Sequence, residues 1–282
     1  MGADEWYNKG TALANLNQFE DAVDAFNKAL SFNPKDEMAW NNKGTVLSNL
    51  GRFQDAVDAF NKALSINPNF SEAWYNKGIA LGNLNQNLDS LVAFDNVLSI
   101  DPNDAMAWAS KALTLGILGW YQESLNACEK ALALKPNYAM TWSNQGIALG
   151  NLGRYEEALD ALDKALSIEP NDITSLYFKG LAYYGLGRNK IALDIFEKVL
   201  SIDPNHTMTL FNKGLVLHNL GRYQEAVNVF DKALLDDPTD ALIWKSKGLT
   251  LDQLGRHHDA QEAYDNALAI DPDLIIAEKQ NR

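Results

Sequence analysis

The sequence predicts an all-α chain of eight tandem helix–turn–helix units, and three observations carry that prediction. Its eight prolines (Pro34, Pro68, Pro102, Pro136, Pro170, Pro204, Pro238 and Pro272) each lie 34 residues after the one before, and the chain contains no others. When every unit is numbered so that its proline falls at position 32, further columns align at positions 4, 8, 15, 20, 24 and 27. Positions 4, 8 and 11 share one helical face, as do 20, 24, 27 and 28, so each unit reads as two amphipathic helices. A fixed period of this length is the signature of a repeat architecture. The units run 3–36, 37–70, 71–104, 105–138, 139–172, 173–206, 207–240 and 241–274. No Pro-, Gly- or Ser-rich linker interrupts them, so residues 3–274 read as one repeat domain.

The first helix of each unit carries Trp at position 4 (Trp6, Trp40, Trp74, Trp108, Trp142, Trp244), with Leu176 and Leu210 in the other two. Position 8 is Gly in seven units and Ala112 in the fourth, which removes bulk where two backbones must approach. Position 15 is Asn or Gly throughout, from Asn17 to Gly255; these two types best tolerate the left-handed conformation that ends a helix. The second helix presents Ala or Ser at position 20 and mostly rings at 24 (Phe26, Phe60, Phe94, Phe196, Phe230, Tyr264). Cys128 fills the same slot in the fourth unit, as a small hydrophobe. Proline at 32 stops the second helix, because it disfavours helical geometry in the residue before it. Asp or Asn near positions 33 and 34 can cap the next unit's first helix. Residues 275–282 begin a ninth first helix that soon turns polar, and at two turns they form only a short partial cap. Apolar surface near Leu268 and Ile270 is then expected to meet the surface around Trp6 and Leu13 of another copy in weak head-to-tail association.

Trp, Gly, Ala, an aromatic, Ala and Pro at positions 4, 8, 20, 24, 27 and 32 resemble the tetratricopeptide repeat across residues 3–274. The resemblance implies a right-handed superhelical solenoid of antiparallel helix pairs, with a concave groove lined by the first helices. It also implies a non-catalytic scaffold that binds protein or peptide segments.

Charge and composition exclude other classes. With 24 Lys and Arg against 37 Asp and Glu, the net charge of -13 leaves no basic stripe for phosphate, so neither nucleic acid nor an anionic membrane is expected as a partner. No run of apolar residues is long enough to span a bilayer. The N-terminal Met1-Gly2-Ala3-Asp4-Glu5-Trp6 lacks a basic segment followed by an apolar one, and a single cysteine forms no intrachain disulfide; a cytoplasmic protein is expected. His206, His218, His257 and His258 show no metal-ligand spacing, and no catalytic constellation, metal or cofactor is expected. The acidic residues at positions 19, 22 and 25 of the second helices read as a solvated face.

The resemblance assigns positions 2, 5, 6, 9, 12 and 13 to the groove, and at 100° per residue all six fall within roughly a 120° arc. Only Asp4, Glu72, Lys245 and Asp252 among them are charged, so the groove is near neutral on an acidic protein. Its lack of a cation before Lys245 separates it from relatives that clamp acidic chaperone tails. Two amide columns stand out: Asn8, Asn42, Asn76, Asn144 and Asn212 at position 6, and Asn15, Asn49, Asn83, Asn151 and Asn219 at position 13. An amide can both donate to and accept from a peptide backbone. The position-6 column is similar to the asparagine ladder in the repeat domain of O-linked N-acetylglucosamine transferase. Two readings stand: a grip on an extended peptide, or bonds from position 6 to the neighbouring unit. Met38, Met106, Met140 and Met208 all occupy position 2, either as an adaptable contact surface or as packing between units. The sixth unit replaces both amides with Phe178 and Gly185 and adds Tyr177, Tyr183 and Tyr184. With Phe211, the residues Tyr177, Phe178 and Tyr184 either form an aromatic pocket or repack a core that lacks its Trp. His218 faces the groove one unit before Asp252 at the same position 12, where a polar contact or ligand-reading pair is the less favoured reading. Lysine at position 7 in seven units reads as a buried stem with a solvated ammonium.

The expected function is a non-catalytic scaffold holding an extended segment in this Asn-lined groove. An architectural module that self-associates end to end, or an adaptor part of a larger protein, are the alternatives.

Overall fold

The computed structural model describes residues 1–274; the partial cap expected over 275–282 lies outside the described residues. Sixteen α-helices occur among them, in eight pairs. The first helices are α1 (Ala3–Asn15), α3 (Glu37–Asn49), α5 (Ser71–Asn83), α7 (Ala105–Ile117), α9 (Ala139–Asn151), α11 (Ile173–Gly185), α13 (Thr207–Asn219) and α15 (Ala241–Gln253). The second helices are α2 (Phe19–Phe32), α4 (Phe53–Ile66), α6 (Asn87–Ile100), α8 (Tyr121–Leu134), α10 (Tyr155–Ile168), α12 (Asn189–Ile202), α14 (Tyr223–Asp236) and α16 (His257–Ile270). Backbone packing groups the chain into two compact units, Met1–Asn144 and Gln145–Arg282. Within the first, each helix packs on the next from α1 to α7, α7 pairs with α8, and α1, α3, α5 and α7 also touch in succession. The same order runs from α10 to α16 within the second, where α11, α13 and α15 touch in succession.

Turn chemistry sets the helix lengths. The position-15 residues all have positive φ, from 58° at Asn17 and Asn85 to 78° at Gly119, so each first helix ends where an L side chain other than Asn would be strained. Position 34 starts the next first helix. Asp36, Asp104, Asp172 and Asp240 accept from backbone N–H groups of the first turn, and His206 does so through Nδ1.

Positions 8 and 24 form one packing couple. A Cβ added to Gly10, Gly44, Gly78, Gly146 or Gly248 would stand 2.5–2.9 Å from the position-24 side chain, and closer still at Gly180 and Gly214. The rings of Phe26, Phe60, Phe94, Phe196 and Phe230 are fully buried on those glycines. The fourth unit makes the exchange in reverse: Cys128, the smallest position-24 side chain, is what leaves room for the methyl of Ala112. Burial pushes the Cys128 thiol up to about 12, partly offset by its hydrogen bond with Ser124. The native protein is therefore expected to leave a thiol-specific dye such as dithionitrobenzoate unreacted at pH 8, with one thiol titrating once urea unfolds the chain. Rapid reaction of the folded protein would contradict this packing.

A second couple joins one repeat to the next. The indole Nε1–H of Trp40, Trp74, Trp108, Trp142 and Trp244 donates to the carbonyl of the preceding position-32 proline at 2.8–3.0 Å. Leu176 and Leu210 cannot donate, and there Lys198 and Lys232 ammoniums reach Pro170 O at 3.1 Å and Pro204 O at 2.7 Å. The position-7 lysines are more committed than a buried stem with a solvated head. Lys43, Lys77 and Lys247 lie 4.7–4.9 Å from the ring centroids of Trp40, Trp74 and Trp244. Lys213 and Lys247 pair with Glu197 at 3.1 Å and Asp231 at 2.6 Å on the preceding second helix.

Candidate functional site

Whether the first-helix face can take a ligand depends on which of its polar groups are already spoken for. Position 6 is largely occupied within the protein. Asn42 Nδ2 donates to Tyr7 Oη at 2.9 Å, and Asn76 Nδ2 to Asn41 Oδ1 at 3.2 Å. Asn212 donates to Tyr177 Oη at 3.0 Å and to Met208 O at 2.8 Å, and Ser110 at the same position meets Tyr75 Oη at 3.2 Å. In each case the partner is position 5 of the preceding unit, so positions 5 and 6 clasp neighbouring first helices. These inter-unit partners are side chains; Asn212 alone adds a bond to a backbone carbonyl, Met208 O, within its own helix. The signal for it lay in position 5, which is Tyr or Asn wherever the next unit's position 6 takes part in a clasp. Before Asn144, position 5 is Ala109, and Asn144 Nδ2 is buried without a hydrogen-bond partner. Asn144 and Asn212 are 7% and 8% exposed and so do not line an open surface, whereas Asn8 is exposed. Asn42→Ala and Asn76→Ala are accordingly expected to cost about 0.5–1.5 kcal/mol of stability each. Urea midpoints check this, and unchanged midpoints would return position 6 to ligand contact alone.

Position 13 differs. Asn15, Asn49, Asn83, Asn151 and Asn219 are all exposed. Asn83 and Asn151 each donate back to Ile79 O and Ile147 O at 2.9 Å, and Asn219 donates to Tyr184 Oη at 3.2 Å. Each such bond uses one N–H, leaving the amide oxygen able to accept from a backbone N–H. Within each compact unit, exposed apolar side chains accompany these amides on the first helices. Met38, Met106, Met140 and Met208 are 37–56% exposed, as are Ile79, Leu113 and Leu249 at position 9 to a similar degree.

In the aromatic group of the sixth unit Tyr177 is part of the core. Tyr177 is 9% exposed and lies edge-on to Phe178 at 5.2 Å and tilted against Phe196 at 6.2 Å. Burial raises its hydroxyl pKa, with the Asn212 hydrogen bond opposing the rise. Phe178, Tyr184 and Phe211 pack half-buried against the same cluster. Tyr177 fills space beside Leu176, where five other units and the last carry the larger Trp. His218 and Asp252 do not pair. His218 Nδ1 meets Thr250 Oγ1 at 2.9 Å, while Asp252 takes His257 Nδ1 at 3.0 Å and Tyr264 Oη at 2.9 Å. The His257 contact holds the Asp252 carboxyl below its ordinary value, and burial lowers His218.

Two cavities open on the first-helix face within the compact unit Met1–Asn144. The larger, about 470 Å³, lies between α5 and α7 and reaches Tyr138 and Met140. The smaller, about 310 Å³, is lined by Ser71, Glu72, Tyr75, Asp104 and Met106. Among the described residues no group of three His, Cys, Asp or Glu is placed to hold a metal ion, and no helix is long and apolar enough to cross a membrane.

Tetratricopeptide-repeat family profiles match residues 3–36, 38–70, 59–91, 105–138, 127–160 and 211–275, which together span most of the chain. A profile for anaphase-promoting complex, cyclosome, subunit 3 matches residues 151–233. No curated protein matches the chain. Among solved structures, a tetratricopeptide-repeat protein from Parabacteroides merdae is similar at 19% identity and a TM-score of 0.71, over 88% of this chain and 98% of that one. The Cut9–Hcn1 hetero-tetramer of the APC/C is similar at 20% identity and a TM-score of 0.72, over 93% of this chain and 51% of that one. YrrB, a tetratricopeptide-repeat protein with an unusual peptide-binding site, is similar at 22% identity and a TM-score of 0.56, over 68% of this chain and 98% of that one. These likenesses show the fold alone, paired helices in tandem. By those profiles, the chain belongs to the tetratricopeptide-repeat family.

Proposed function

We propose that this chain is a non-catalytic scaffold that holds an extended protein or peptide segment along its first-helix face. The observation that carries the reading is the strip of exposed position-2 methionines and position-9 aliphatics within Met1–Asn144, beside the exposed Asn15, Asn49 and Asn83. An apolar strip beside amide acceptors suits a segment bound by side-chain burial and backbone hydrogen bonds together. The grip assigned to position 6 passes mainly to position 13, since the position-6 donors serve the clasps. Thioether side chains let one strip accommodate more than one sequence. A random dodecapeptide display library panned against the full chain tests this. Selected peptides should bind at least tenfold more weakly to Leu113→Glu and equally well to Leu235→Glu, a matched change on an exposed second-helix residue. Equal loss on both, or loss only on Leu235→Glu, overturns the reading.

The likeness of residues 151–233 to an APC/C subunit profile favours a second, architectural role as one protein of an assembly. A mass that rises with concentration in sedimentation would support the self-associating form of that role.

A further inference from the structure

The two cavities within Met1–Asn144 differ in chemistry and share a wall, the ring of Tyr75. The larger exists because Gly82 and Ser110 are small, so that space opens over Phe94 between Ile79 and Leu113. Four of its hydroxyls are already engaged. Ser90 Oγ donates to Gly78 O at 2.8 Å, Thr114 Oγ1 to Ser110 O at 3.0 Å, and Tyr75 Oη meets Ser110 Oγ at 3.2 Å. A water there finds few partners, whereas an apolar side chain gains by burial. At about 470 Å³ the space exceeds what one leucine or aromatic ring needs.

The smaller cavity carries two carboxylates, Glu72 and Asp104, and no lysine or arginine lines it. Asp104 Oδ1 accepts from Met106 N and Ala107 N at 2.9 Å, and Glu72 Oε1 from Asn41 Nδ2 at 3.0 Å, but neutral donors leave both charges in place. The exposed Met106 beside them offers a surface for the methylene stem of a long cation. The net charge of -13 adds a favourable field for a cationic side chain.

We propose that this pair of cavities recognises an apolar residue and a lysine or arginine two residues apart in an extended segment. The apolar side chain enters the larger cavity and the cation lies between Glu72 and Asp104. Residues two apart in an extended chain share a face, which lets both engage adjacent cavities. The inference rests on the first-helix face being the peptide site, and it adds the chemical class of the segment.

Fluorescein-labelled decapeptides carrying Leu-Ala-Lys or Lys-Ala-Leu in a Gly/Ser background, measured by anisotropy against the full chain, test it. One of the two orders should bind, and replacing either its Leu by Ala or its Lys by Glu should weaken it about tenfold. Glu72→Gln with Asp104→Asn retains the Asn41 bond and the helix cap but removes both charges. This pair should weaken the Lys peptide about three- to tenfold and leave its Lys→Ala counterpart unaffected. Gly82→Leu places an isobutyl group in the larger cavity, where the apolar side chain would sit. A Cβ there meets only Ser90 Oγ, at 3.8 Å, so the variant should keep or gain thermal stability while losing the peptide about tenfold or more. Three results would each overturn the proposal: a Glu-bearing peptide binding as tightly as the Lys peptide, no preference lost with the two charges, or full affinity in Gly82→Leu. If neither labelled peptide binds while display-selected peptides still do and still depend on Leu113, this inference falls and the general peptide reading stands. If no peptide of either kind depends on Leu113, both fall.

Discussion

Gly214→Ala is expected to lower the unfolding free energy by about 1–3 kcal/mol, a large effect for one methyl group, because the methyl has nowhere to go. The Phe230 ring lies against the Gly214 backbone and is fully buried, so the new Cβ must drive ring or helix apart. Elsewhere in a helix the same change would be stabilising, since alanine is the better helix former by about 1 kcal/mol. The sign therefore reports the packing. The fourth unit offers the mirror experiment: Cys128→Phe should be destabilising by a similar amount, and Ala112→Gly in the same chain should restore most of it. Urea midpoints give the size of each change. Amide exchange in the affected helix pair gives its location, which matters because repeat arrays need not unfold in one step. A neutral Gly214→Ala, or a double variant no better than Cys128→Phe alone, would show that the two positions are not coupled.

Tyr177→Ala should cost about 3–5 kcal/mol, the range for truncating a buried aromatic. Tyr177→Phe should cost only about 1 kcal/mol, because Asn212 loses one acceptor and keeps Met208 O. Faster amide exchange across α11 and α13 should accompany both, in that order of size. A Tyr177→Ala chain of unchanged stability but weakened peptide binding would return the ring to a ligand pocket.

The helix pairs, turns and packed faces were legible in the sequence because each repeats eight times and each has a local cause. Proline at 32 and Asn or Gly at 15 act through backbone geometry alone, and Gly at 8 facing a ring at 24 is a steric pairing within one unit. What was not legible was pairing across units. The clasp between positions 5 and 6 joins residues 35 apart, and only their side chains show which helices touch. Asn76 and Asn83 look equivalent in sequence, seven residues apart on one helix. One faces the preceding first helix and the other stays exposed. The lysines at 198 and 232 were unreadable for a related reason. Position 26 is lysine in several units, and Lys198 and Lys232 reach the proline carbonyl in the two units where Leu replaces Trp.

The couples that hold this array together also define where it can be cut and rejoined. Positions 8 and 24 belong to one helix pair, so a recombination joint in the turn at position 15 would bring the first helix of one unit to the second helix of another. Joining Ala112 to a phenylalanine would be a clash, and joining Gly44 to Cys128 a void. A joint at the proline is more forgiving, since Trp at position 4 asks only for a backbone carbonyl that any residue supplies. The substitutes for Trp travel with it as well: Lys198 lies in the same unit as Leu176, and Lys232 in the same unit as Leu210. The transferable cassette in this chain is therefore the 34-residue segment from one proline to the next, and chimeras of the fourth unit built on that boundary should fold where those that split it at the inter-helix turn are destabilised.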